Sequence, residues 1–312
     1  MSERLRILCI DDEARILRAL KALFREHEVH VTSEPRLALR LVTDKDIDVV
    51  VCDQRMPQML GVDLLREIKL AHPRAMRILL TGYSDLTAVL ASVNESEVFR
   101  FVNKPWDNEE LRKIVAQAGD IARDLPAELP APISERDKDE ARQTAGVLVI
   151  DDDPETQARL REIFGAHYQV RFANTAERAL QILEQHETGV VISEAETQAG
   201  DWTALIKTLK RYHPHIPTVV ITDRANANLA IDLINEGQVY RMLLKPLRMG
   251  TCRLSIESAI AHYWYLKKNP SAIRRYQVAE PSKNNLTPAW LSSALMQRIM
   301  QLPKRFLGIR LN

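Results

Sequence analysis

The chain carries one pattern twice, and this repetition limits its possible folds more than any other feature. LRILCIDDEARIL (5–17) matches GVLVIDDDPETQARL (146–160). From Asp53 onward the two copies keep a constant offset of 141 residues. Asp53 falls on Glu194, His72-Pro73 on His213-Pro214, Thr81 on Thr222, and Lys104 on Lys245. One insertion or deletion lies earlier, between the acidic cluster and the helix after it. The copies therefore share a scaffold and differ at the carboxylate on which they pivot.

Within each copy, short apolar runs alternate with amphipathic helical runs. In the first copy the short runs are ILCI, HVT, DVVVC, RILLT and FRFVN, and between them Leu17, Leu20, Leu23 and Phe24 recur at helical spacing. Strands alternating with helices predict right-handed βαβ units and a parallel sheet covered on both faces. Five strands and five helices in about 120 residues predict an α/β, flavodoxin-like, doubly wound domain. Two such domains are expected, at 1–123 and 146–265. Residues 124–145, with three prolines and no apolar period, read as a linker. Residues 266–312 form a basic, partly amphipathic helical tail. The Asp107 to Glu110 spacing predicts an N-capped last helix in the first copy.

In a doubly wound fold the crevice lies past the carboxyl ends of the strands. Asp11, Asp12, Asp53, Thr81 and Lys104 all fall at or just past strand ends. Three carboxylates so close need a cation, and hard oxygen ligands point to Mg²⁺. An ionised Asp53 can attack a phosphoryl group and form an acyl phosphate. The incoming oxygens would be countered by the metal, the Lys104 ammonium and the Thr81 hydroxyl. Gly82 leaves room for that approach, and Pro105 is a candidate for a cis bond that aims Lys104. An Asp-x-Asp-x-Thr phosphoaspartate motif is absent: Asp151, Asp153 and Glu155 end in Glu, and the first copy reads Asp11, Glu13, Arg15.

The segments CIDDE, CDQRMPQMLG, LLTGYSD and FRFVNKPWD resemble the receiver (CheY-like) domain of bacterial two-component response regulators, over about residues 5–122. The resemblance implies that Asp53 is the phosphoacceptor. It implies Mg²⁺ ligation by Asp12, Asp53 and the backbone carbonyl of Arg55, with Asp11 acting through water. Thr81 would be the switch hydroxyl, Lys104 the phosphate-binding lysine and Phe101 the switch aromatic. Arg55 and Tyr83 stand where the family tunes hydrolysis, and their bulk implies slow phosphoryl loss. The FRFxxKPWD ending is similar to receivers joined to cyclic-di-GMP phosphodiesterase modules or to hydrogenase-type transcription regulators; neither output domain is recognisable here.

Residues 146–265 resemble the same family more weakly. Asp151, Asp152, Thr222 and Lys245-Pro246 are kept. The pivot is Glu194, whose extra methylene moves the carboxylate by about 1.5 Å. Displacement on that scale slows a positioned reaction by orders of magnitude. The longer side chain is expected to enter the phosphoryl space and pair with Lys245. Asp223 replaces Gly82, Met242 replaces Phe101, and Thr197-Gln198 replaces Met56-Pro57. The second copy therefore reads as a degenerate receiver, its chemistry lost and its surface kept.

Composition bounds the remaining possibilities. Three scattered cysteines, Cys9, Cys52 and Cys252, exclude a disulfide framework and fit reduced, buried thiols. No signal peptide or spanning segment is visible, so a cytoplasmic protein is expected. The net charge of +1 conceals an acidic body: from Leu266 onward there are nine Lys or Arg and one acid, Glu280. Leu291, Leu295, Leu302 and Phe306 lie near helical spacing in the tail, interrupted by Pro303. Such a helix can pack on its own chain, enter a partner groove, meet an anionic membrane or contact phosphate backbones. No signature of sequence-specific nucleic-acid binding is found. The expected partners are a histidine kinase or phosphotransfer protein, a downstream protein and a second copy of the chain. The expected function is a response regulator without a separate enzymatic domain; the alternative is a constitutive scaffold whose basic tail binds membrane, nucleic acid or a partner.

Overall fold

In the computed structural model the two copies each build a five-stranded parallel sheet. The structure describes residues 4–82, 97–125, 134–197, 200–223, 227–236, 238–276 and 293–302. The first sheet has strands β1 (Arg6–Ile10), β2 (Glu28–Thr32), β3 (Val49–Asp53), β4 (Met76–Thr81) and β5 (Arg100–Asn103), in spatial order β2-β1-β3-β4-β5. The order reverses between β1 and β3, which opens a crevice at their carboxyl ends. β3 and β4 are buried along their whole length. This is why VVVCD and MRILLT read as nearly continuous apolar runs rather than alternating ones.

Helices α1 (Ala14–Leu23), α2 (Pro35–Asp44), α3 (Gly61–Ala71) and α4 (Asn108–Asp124) cover this sheet. Leu111, Val115, Ala118 and Ala122 of α4 join Ile7, Cys9, Val49, Val51 and Ile78 in one core. Asp107 caps α4 as its spacing predicts, accepting the backbone N–H groups of Glu109 and Glu110.

The second sheet has β6 (Gly146–Ile150), β7 (Val170–Ala173), β8 (Thr188–Glu194), β11 (Thr218–Thr222) and β12 (Arg241–Leu244), in order β12-β11-β8-β6-β7. A two-residue pair, β9 (Glu196–Thr197) with antiparallel β10 (Gly200–Asp201), follows the pivot. The helices are α5 (Glu135–Thr144), α6 (Pro154–Phe164), α7 (Ala176–Gln185), α8 (Thr203–Tyr212), α9 (Ala227–Asn235) and α10 (Met249–Lys268). A 3-10 turn (Pro270–Tyr276) and α11 (Ser293–Gln301) complete the described chain. All three cysteines are free and buried.

One stretch differs from the sequence expectation: the second half of the expected linker is helix α5. It is held by a reciprocal capping box between Ser134 and Asp137, and its Ala141 is buried. The tail packs on its own unit, one of the fates its amphipathic pattern allows: Leu295, Ile299 and Leu302 are buried with residues of α7 and α8. The chain divides into one unit of Met1–Leu129 with Asn226–Asn235, and another of Pro130–Ala225 with Glu236–Asn312.

Candidate phosphoacceptor site

In the first crevice one ammonium serves two carboxylates. Lys104 Nζ lies 2.8 Å from Asp11 Oδ2 and 2.5 Å from Asp53 Oδ1. The remaining oxygens are also occupied: Asp53 Oδ2 accepts the Arg55 N–H at 2.8 Å, and Asp11 Oδ1 accepts the Glu13 N–H at 2.8 Å. Burial pushes the Asp11 carboxyl above its ordinary range, and Lys104 offsets part of that shift. Burial also works against the Lys104 ammonium, but the bonds from Asp11 and Asp53 outweigh it and raise its pKa. Lys104 is held at the end of β5, its N–H donating to the Thr81 carbonyl at 2.8 Å. The Lys104–Pro105 and Lys245–Pro246 bonds are both cis.

Asp53, Thr81 and Phe101 are buried, and Asp12 and Arg55 are exposed. In the β4–β5 ladder Leu79 faces Phe101 and Thr81 faces Asn103. Thr81 therefore ends the strand next to the one carrying Phe101 and Lys104. Gly82 is open, since a Cβ there would meet no atom within 4 Å. Tyr83 lies outside the described residues.

Asp11, Asp12, Asp53 and the Arg55 carbonyl are all hard oxygen donors, and that chemistry fits Mg²⁺. Among the described residues no three His, Cys, Asp or Glu side chains are gathered closely enough to hold a metal ion by themselves. The Lys104 ammonium supplies the countercharge between Asp11 and Asp53 in this structure.

The second crevice keeps the parts and changes the connections. Lys245 Nζ lies 2.7 Å from Glu194 Oε2, and Glu194 Oε1 accepts the Ala195 N–H at 3.1 Å. Asp151 Oδ1 accepts the Asp153 N–H, but Asp151 Oδ2 is buried without a hydrogen-bond partner. The longer pivot has drawn the lysine away from the acid it would otherwise share. Burial raises the carboxyl pKa of both Asp151 and Glu194; Lys245 opposes the shift at Glu194 by direct bonding and at Asp151 by charge alone. Thr222 is buried at the end of β11, and Met242 is buried at the Phe101 register. Asp152 is half-buried and Asp223 exposed, so Asp223 contributes charge rather than bulk. Gln198 lies outside the described residues.

A further difference was missed in reading the sequence. A Cβ on Gly61 would come within 2.0 Å of the Asp53 carbonyl oxygen. No side chain fits unless the loop moves. The 141-residue offset sets Gly61 against Trp202, which is buried. Both keep the same loop-closing bond, Gly61 N–H to the Gln54 carbonyl and Trp202 N–H to the Ala195 carbonyl. The loop between is rebuilt: β9 and β10 pair, and α8 begins one residue later than α3. Aligning the two copies at that offset would have revealed the exchange.

Comparison with known proteins identifies the domain that carries these crevices. The model of the response regulator receiver domain matches residues 7–116 and again 147–257. The hydrogenase transcriptional regulatory protein HoxA of Cupriavidus necator is 35% identical over 136 residues, covering 41% of this chain and 28% of its own length. The regulatory protein AtoC of Escherichia coli is 36% identical over 115 residues, covering 36% of this chain and 25% of its own. The chain thus spans about a quarter of the curated relatives it matches. The signal receiver domain of an HD domain-containing protein from Pseudomonas fluorescens Pf-5 is 34% identical. It covers 39% of this chain and all of its own, with a TM-score of 0.38. The chain belongs to the response regulator receiver family of two-component phosphorelays and carries the receiver domain twice.

Proposed function

We propose that Asp53 accepts a phosphoryl group from a histidine kinase or phosphotransfer protein, and that the second crevice accepts none. The observation that carries this reading is the contrast between Lys104, shared by Asp11 and Asp53, and Lys245, engaged by Glu194 alone. In the first crevice the Asp53 carboxylate attacks phosphorus, the bond from phosphorus to the donor nitrogen breaks, and an acyl phosphate forms. Lys104 turns from its carboxylates to a phosphoryl oxygen, and Thr81 donates its hydroxyl to another. Asp11, Asp12, Asp53 and the Arg55 carbonyl would hold Mg²⁺, which when bound supplies charge neutralisation for the transferring group. Thr81 and Phe101 then repack, and the surface made by β5 and α4 changes for a protein partner or a second copy. Arg55 and Tyr83 slow the loss of the phosphoryl group.

In the second crevice Glu194 already holds the lysine that a phosphoryl group would need. No described observation favours attachment through the tail as the main activity, because Leu295 and Ile299 of α11 are buried in their own unit. Intact-mass spectrometry after acetyl phosphate and Mg²⁺ tests the proposal. One added phosphate is expected on the wild type and none on Asp53→Ala. Two phosphates, or one that survives in the variant, would show the second crevice to be reactive.

A further inference from the structure

The two copies differ at a second place, away from the crevice, and the differences there form a pattern. In the second copy α11 lies against α7 and α8. Its Leu295 and Ile299, with Leu302 just past its end, share one apolar cluster with Leu180 and Leu183 of α7 and Leu205 and Leu209 of α8. Arg298 makes a two-point pair with Glu184, at 2.8 and 2.9 Å. His213 Nε2 lies 2.7 Å from the Ile299 carbonyl. Lys210 is buried and donates to the carbonyls of Pro214 and Ile216, pinning the turn beside His213.

The first copy, at the same offset, lacks these features. Thr43 stands for Glu184 and offers no charge to an arginine. His72 stands for His213 and pairs with Asp46 of its own domain at 3.3 Å. Lys69 stands for Lys210 and pairs with Glu97 at 2.8 Å. Glu184 and His213 therefore bond to the tail helix in one copy, where the first copy has an uncharged threonine and a histidine paired within its own domain, and Lys210 holds the turn beside His213. A further difference is Trp202, at the Gly61 register. Trp202 belongs to the same apolar cluster as Leu295, Ile299 and Leu302, and its N–H closes the loop onto Ala195, the residue next to Glu194. One residue thus joins the two, its side chain in the apolar cluster of the seat and its backbone N–H on the loop beside Glu194.

We propose that the α7–α8 face of the second receiver is a seat specialised for the chain's own tail helix, and that seating α11 holds the Glu194 loop in place through Trp202. The crevice that has lost its chemical input gains a mechanical one. A nine-residue helix is too short to persist alone in water, so α11 is helical because it is seated. This inference stands whether or not Asp53 is phosphorylated.

Hydrogen exchange on the full chain tests it, with wild type, Arg298→Glu, Glu184→Arg, the double charge swap and Ile299→Asp. In the wild type, residues 293–302 should be protected. Each single charge variant should speed exchange there by about tenfold, and should also speed it at 194–202. The double swap should restore both regions, as a paired charge requires. Ile299→Asp should release both, whatever the charge pair contributes. Fast exchange of 293–302 in the wild type, or a tail that stays protected in Ile299→Asp, would overturn the seat. A released tail with unchanged exchange at 194–202 would overturn the link through Trp202.

Discussion

A single methylene separates Glu194 from Asp53, and the lysine opposite each responds to it. Lys104 bridges two acids, whereas Lys245 serves one and leaves Asp151 Oδ2 buried and unbonded. A buried carboxylate with one oxygen unbonded is destabilising, so Asp151→Asn should raise stability by about 1–2 kcal/mol in urea titrations. Shortening Glu194 should not revive the site. In an Asp53→Ala background, Glu194→Asp should still gain no phosphate from acetyl phosphate by intact mass, because the loop that follows the pivot is rebuilt, with β9 paired to β10 ahead of Trp202. Lys210 gives a pH signature. Burial lowers its amine from an ordinary 10.5 to about 7, so between those values the unfolded chain binds more protons than the folded one. Stability should therefore rise as pH rises from about 7 to 10.5, and Lys210→Met should flatten that slope in denaturation measured across the range. The residues at strand ends were legible because chemistry restricts their type: Asp53, Thr81, Lys104 and Glu194 declare themselves by spacing. Lys210 was not legible, since nothing in KRYHPHIP says that a lysine amine will turn inward onto two carbonyls.

Among the secondary-structure elements, those with an apolar period were legible and those held by polar caps were less so. The runs ILCI and DVVVC gave β1 and β3 because both faces of the sheet are covered. Helix α5 has almost no apolar residues, so periodicity passed over it, yet its Ser134–Asp137 capping spacing was present in the sequence. It rests on α10, with Lys268 paired to Asp137. Helix α4 depends on Asp107, which satisfies two N–H groups at its first turn. Asp107→Ala should cost about 1 kcal/mol, read as a lower midpoint in chemical denaturation, with the acyl-phosphate chemistry retained. The tail helix was legible as amphipathic, but sequence alone could not choose its partner. The choice follows from Glu184, His213 and Trp202, which lie far from it in the chain and meet it only in the fold.

For the molecule as a whole, duplication supplies an internal control. The first receiver shows what each position does in an intact crevice, and the second shows what the same backbone accepts once that demand is lifted. Deleting residues 277–312 should expose the apolar residues of α7 and α8, seen as increased binding of an apolar dye, while Asp53 still takes phosphate. The three cysteines extend this comparison. Cys9 and Cys52 lie within β1 and β3 of one sheet, and Cys252 lies in α10 against the other. Burial raises all three thiol pKa values, Cys9 to about 12, so none offers a ready thiolate while its domain is closed. A thiol reagent can therefore mark only a receiver that has opened. Pulse labelling followed by peptide mapping would time the opening of each half of the same molecule through its native cysteines, no residue having been substituted.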